Sequence, residues 1–153
     1  MLSLVYVSFA SRPFSDADLA ELLKKAREKN TRLKITGMLL YKSGIFIQAL
    51  EGPDDVVREL FKTISADDRH EGASCLQEKQ IEKRQFPDWK MAFQVLDDPA
   101  LTRMEGYSEF LDQLEEFRTD PSRAARLLEI FRNSMNLTGR LPRWWPVPSM
   151  NLI

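Results

Sequence analysis

Three polar side chains stand inside largely apolar or structured stretches of this sequence, and each could do chemistry there. Tyr6 sits mid-run in LVYVS, Gln48 in IFIQALEG, and Asn30 in EKNTRLKITG. A phenol hydroxyl donates one hydrogen bond and accepts others. A primary amide has two N–H donors and a carbonyl acceptor, so it donates in one orientation and accepts in another. Burying such an amide without partners costs ~1–3 kcal/mol on mutational scales. Gln48 therefore either has a private partner in the core or points at a ligand. Each residue also has a purely structural reading. Tyr6 would be a core aromatic with its hydroxyl satisfied, and Gln48 would bond a neighbouring backbone group. Asn30 would cap the end of a helix, because asparagine tolerates the left-handed conformation.

The elements that position these residues are legible in the hydrophobic pattern. Residues 2–8, LSLVYVS, are β-prone and apolar on both faces. Ser15 with Asp18 resembles a capping box. Leu19, Leu22, Leu23 and Ala26 follow at helical spacing. KITGMLLYKSGIFIQALEG reads as two strands joined at Lys42-Ser43-Gly44, a hairpin. Pro53 stands at the first position of a second helix, with Asp54 and Asp55 in its first turn and Val56, Val57, Leu60, Phe61 and Ile64 as its apolar stripe. After the turn ADDRHEG, residues 73–82 and 89–96 read as two further strands.

The resulting order β-α-β-β-α-β-β is an α+β, ferredoxin-like arrangement with one added strand. In such a sheet the first and third strands are central neighbours. Tyr6 and Gln48 then meet beneath the groove between the two helices, and the end of the first helix opens on the same groove. Strands that are apolar on both sides need cover on the second face as well. The C-terminal third can supply it. After a linker at 97–106, Phe110, Leu111, Leu114 and Phe117 share one helical face, and Ala124, Leu127, Leu128, Phe131 and Met135 another. The expected organisation is a domain over 1–96 and a linker, helices and tail over 97–153 packed on the opposite sheet face.

Composition narrows the function classes. The 153 residues carry 22 basic and 23 acidic side chains, a net charge of −1, so no global field favours nucleic acid or an anionic membrane. Cys75 is the only cysteine and cannot form an internal disulfide, which suits a reducing cytoplasm. The apolar start MLSLVYVS has no preceding basic region and reads as a first strand rather than a signal peptide. No run approaches the ~18–20 apolar residues of a membrane span. Gly37, Gly44 and Gly52 do not form a dinucleotide or P-loop spacing. One histidine and one cysteine, His70 and Cys75, are too few for a metal or nucleophile set, so no metal site is expected.

Taken together, LVYVS, N-x-R-x-x-ITGMLLY, GIFIQALEG, DDRH and FPDWKM resemble the blue-light-using-flavin (BLUF) photoreceptor domain over residues 1–96, with order and spacing intact. The remaining third is more loosely similar to the helical extension of short BLUF proteins without a fused effector. The resemblance implies a non-covalent flavin between the two helices, usually FAD, with FMN as the other option. It puts the family's photochemical tyrosine on Tyr6 and its switch glutamine on Gln48. It implies that Asn30 bonds the polar edge of the ring, Leu22 and Ile64 sandwich it, and Arg69 and His70 lie near its polar edge and tail. Trp89 and Met91 match the pair that exchanges places near the glutamine. Ala26 and Lys29 depart from side chains common in the family. The implied mechanism is electron and proton transfer from the tyrosine and back. It leaves the amide rotated or tautomerised, so the protein is a switch and not an enzyme. The implied partner is a separate downstream effector or regulator, with a homo-oligomer expected. The alternatives are an acylphosphatase-like hydrolase, which lacks its phosphate loop around Arg12, and a non-photochemical ferredoxin-like ligand- or RNA-binding module.

Overall fold

A computed structural model describes residues 1–42 and 44–87, together with the backbone of 92–95. The elements are β1 (Leu2–Ala10), α1 (Asp16–Leu33), β2 (Thr36–Lys42), β3 (Ile45–Gly52), α2 (Asp54–Ser65), β4 (His70–Gln80) and β5 (Ala92–Val95). They build one sheet in the order β4-β1-β3-β2-β5. β1 pairs antiparallel with both β3 and β4, β2 pairs antiparallel with β3, and β5 runs parallel to β2. This is the expected ferredoxin-like arrangement with an added strand. The C-terminal helices expected over 107–153 lie outside the described residues.

Local chemistry accounts for the joints. Ser15 Oγ accepts from the Asp18 N–H, while the Asp18 carboxylate accepts from the Ser15 N–H. This reciprocal box satisfies donors that the first turn of α1 would otherwise leave open. The β2–β3 hairpin closes with Lys42 opposite Ile45, and Gly44 turns the chain at a φ of 80°, a region that costs glycine little. Pro53 differs from its expected place. It is the N-cap of α2 and the helix begins at Asp54. A residue fixed near its ψ of 138° is extended and cannot itself be helical.

Alternation along the strands builds two buried faces. Leu2, Leu4 and Tyr6 of β1 join Phe46 and Leu50 of β3 and Leu39 of β2 in one cluster with Leu19 and Leu23 of α1 and Val57 and Leu60 of α2. Both helices thus cover the same face. Val5, Val7, Met38, Leu40, Ile47 and Ala49 point the other way by strand alternation, and they too are fully buried. That burial is why these strands read as continuous apolar runs rather than as alternating ones.

Candidate functional site

The register of the central strands decides the site. Tyr6 on β1 lies opposite Gln48 on β3, and Gln48 in turn lies opposite Leu39 on β2. Both polar residues face the helices, and both are buried. The Tyr6 hydroxyl donates a hydrogen bond to Gln48 Oε1. With that oxygen facing the phenol, the amide NH₂ is directed away from it. Burial pushes the Tyr6 phenol well above its ordinary range, and the negative charge of Asp67 adds to the effect. The hydroxyl therefore keeps its proton and remains a donor at neutral pH.

These two side chains form the floor of a cavity of about 120 Å³ between α1 and α2. A single water needs only ~10–15 Å³, so the space is well above what one solvent molecule fills. Leu22, Ala26, Lys29 and Asn30 line it from α1, and Leu60, Thr63 and Ile64 from α2. Positions 22, 26, 29 and 30 share one face because they follow helical spacing. Asn30 is only 2% exposed. Its position corrects the capping reading, since α1 continues to Leu33 and the left-handed residue is Lys34, at a φ of 56°. The Lys34 and Ile35 N–H groups both bond back to the Asn30 main-chain carbonyl, leaving the Asn30 side chain in the cleft wall.

Asp67, Arg69 and His70 close the far end of the cleft. The Arg69 guanidinium donates to both Asp67 oxygens, from Nε at 3.0 Å to Oδ1 and from Nη2 at 2.6 Å to Oδ2, and the Arg69 N–H adds a bond of 2.9 Å to Oδ1. The Arg69 side chain is the main reason the Asp67 carboxyl is held at about 2. His70 Nδ1 lies 3.0 Å from Ser8 Oγ, and its ring packs against Phe46 with centroids 5.1 Å apart. Burial lowers its pKa, with Asp67 opposing that shift.

The structure thus brings Tyr6, Gln48, Asn30, Leu22, Ile64, Arg69 and His70 to one cleft. Trp89 and Met91 lie outside the described residues. Asp67 was missed by sequence reasoning, although an aspartate two residues before an arginine is a usable signal for a local side-chain-to-backbone bond. Lys25 and Thr63 also line the cleft. Their offsets of three from Leu22 and Leu60 could have placed them there.

Fold and cleft together define a ferredoxin-like α+β domain with a cleft between its two helices, above a hydrogen-bonded tyrosine–glutamine pair. The family described as sensors of blue-light using FAD, BLUF, matches residues 1–92. The β subunit of photoactivated adenylate cyclase from Euglena longa is 33% identical over 143 residues, covering 90% of this chain and 16% of that protein. This chain therefore spans only a small part of the cyclase subunits it matches. The dark-state structure of the BLUF protein BlrB superimposes with a TM-score of 0.63 at 32% identity, covering 84% of this chain and 91% of BlrB. Klebsiella pneumoniae BlrP1, in a manganese and cyclic-diGMP complex at pH 6, gives a TM-score of 0.69 at 33% identity over 88% of this chain and 33% of that one. The chain belongs to the BLUF family of blue-light flavin photoreceptors.

The residues present fit a flavin. Leu22 and Ile64 offer apolar walls from opposite helices, and the polar side chains of Tyr6, Gln48 and Asn30 converge on the floor and one wall. An apolar slot with a few convergent polar groups is the chemistry a flat heteroaromatic ring with one polar edge requires.

Proposed function

We propose that Tyr6 and Gln48 are the photochemical pair of this receptor and that Asn30, Leu22, Ile64, Arg69 and His70 hold its flavin. The observation that carries this reading is the hydrogen bond from the Tyr6 hydroxyl to the Gln48 amide on the cleft floor. Bound flavin supplies blue-light absorption and, once excited, oxidising power. With flavin bound, Tyr6 would supply it with an electron and, from the hydroxyl oxygen, a proton, and would take both back. Gln48 supplies the memory. Its terminal torsion is broad and roughly two-fold, so the amide has two arrangements that exchange which group faces Tyr6. With the NH₂ turned toward the phenol, the Tyr6 oxygen accepts instead of donating. No net chemistry results, and the chain acts as a switch rather than a catalyst.

We further propose that the signal leaves through the segment containing Trp89 and Met91 and through residues 97–153, and passes to a separate effector or regulator protein or within a homo-oligomer. In support, α1 and α2 cover only one sheet face, yet Val5, Met38, Ile47 and Ala49 are fully buried on the other. Cover on that face is what the proposed helical extension would provide.

Illumination of the purified full chain tests the central reading. A yellow protein with a reversible red shift under blue light is expected. A colourless protein, or a yellow one that blue light leaves unchanged, overturns it. Hydrogen exchange in light and dark tests the output: altered protection within 97–135 is expected in the wild type and is lost in Met91→Ala. Identical exchange there in light and dark for the wild type overturns the route.

A further inference from the structure

Glu51 is a carboxylate with no part in the cleft, and its surroundings are unusual for an acid. It lies on β3, three residues after Gln48, and by strand alternation it faces the opposite side of the sheet. It is 1% exposed, and burial raises its pKa. Acids are buried this deeply only when held by specific partners. Among the described residues, its partners belong to the short segment that follows β4. The Phe86 N–H donates to Glu51 Oε2 at 3.0 Å, and the Gln85 N–H donates to the same carboxylate.

Arg84 completes the attachment from the other side. Its guanidinium donates to the main-chain carbonyl of Glu51 at 2.7 Å, to Thr36 Oγ1 at 2.8 Å and to the Lys34 carbonyl at 2.6 Å. Thr36 and Glu51 are cross-strand partners on β2 and β3. One side chain therefore ties the end of α1 to both strands. Phe86 is fully buried next to these bonds. The chain is then held again at Ala92, which pairs with Met38 on β2. Side chain and main chain of Glu51 thus both bind the stretch that leads out of the domain, on the strand that carries Gln48.

We propose that Glu51 is a positioning residue of the light response: by fixing residues 84–86 on the end of β3, it couples the Gln48 strand to the segment that leads into β5. This rests on the Gln48 switch proposed above. The segment reads the state of Gln48 through β3 because its near end is bonded to that strand and not free to drift. Arg84 is its counterpart. It holds the same segment through the Glu51 and Lys34 carbonyls and Thr36 Oγ1, and its positive charge also favours the ionised Glu51 carboxylate.

Glu51→Gln and Arg84→Gln in the full chain test the coupling. Glu51→Gln keeps the side-chain volume but removes the charge and leaves one acceptor oxygen where the carboxylate has two, which weakens the hold on the Gln85 and Phe86 N–H groups. Flavin occupancy and the extent of the red shift should stay at the wild-type level in both variants. The rate of dark recovery should change by about tenfold, equivalent to ~1.4 kcal/mol in the barrier. The light–dark difference in hydrogen exchange over residues 81–95 should shrink by at least half. Wild-type recovery and a wild-type exchange difference in both variants would overturn the inference while leaving the photoreceptor reading intact. If Glu51→Gln fails to fold, Arg84→Gln alone decides by the same criteria. Failure of the wild type to shift at all sinks the switch reading itself, a distinct result.

Discussion

Tyr6 and Gln48 are directly opposed on adjacent central strands, and the hydroxyl of one donates to the amide oxygen of the other. The pair is buried, yet it lines the cleft between the helices. A hydrogen bond in that position is shielded from competing water on one side and open to a ligand on the other. It is therefore strong enough to define an orientation of the amide and accessible enough for a bound ring to sense it.

Tyr6→Phe keeps the ring that packs against Phe61 at 5.2 Å and removes only the donor. Flavin should remain bound, and the normal light-induced red shift should disappear. A normal photocycle in the variant, followed by absorption spectroscopy under blue light, removes Tyr6 from the mechanism.

Gln48→Leu deletes the amide at nearly constant volume. The Tyr6 hydroxyl then loses its hydrogen-bond acceptor in a buried place, so a stability loss of ~1–3 kcal/mol is expected together with retained flavin. Infrared difference spectra should no longer show the light-induced downshift of the flavin C4 carbonyl band. Persistence of that downshift excludes Gln48 as its source.

Asn30→Ala separates a cleft residue from a helix cap. The cap of α1 is Lys34, so the substitution leaves the helix end in place. Flavin affinity should fall by roughly ten- to a hundredfold, as the loss of a buried polar partner worth ~1–3 kcal/mol implies. Titration with flavin measures this directly, and unchanged affinity removes Asn30 from the binding set.

His70 makes the domain sensitive to acid. Its folded pKa lies below the ordinary 6.5, mainly through burial. The unfolded chain therefore takes up a proton first as pH falls. The neutral ring's contribution is fully present above 6.5 and is lost as pH drops through the lowered folded value. The thermal midpoint should decline as pH falls below 6.5, and His70→Gln should flatten that part of the profile. An equal decline in both proteins assigns the acid sensitivity elsewhere.

Gly37→Ala tests the packing of the central hairpin. A Cβ at this position would stand 2.0 Å from the Ala49 carbonyl oxygen, which belongs to the paired strand and cannot rotate aside. Overpacking of this kind costs ~1–3 kcal/mol or more. Chemical denaturation should show at least that loss, and wild-type stability shows that the strands part more easily than their spacing indicates.

The sequence by itself determined the elements, because local chemistry writes them. The Ser15–Asp18 box starts α1, and glycine turns the hairpin at Gly44. Continuous apolar runs mark β1 and β3 as strands buried on both faces. It also singled out Tyr6, Gln48 and Asn30, since a polar group in an apolar run demands an explanation. Tertiary structure decided what pattern alone leaves open. The end of α1 at Lys34 depends on Ile35 being drawn into the core, which overrides the local preference of Asn30 for a cap. The commitment of Arg69 to Asp67 depends on how the turn after α2 folds back at the cleft. Burial of Glu51 depends on backbone amides some thirty-five residues later, Phe86 among them. An acid looks like surface in any local window. Only partners distant in the chain can offset the cost of taking its charge out of water.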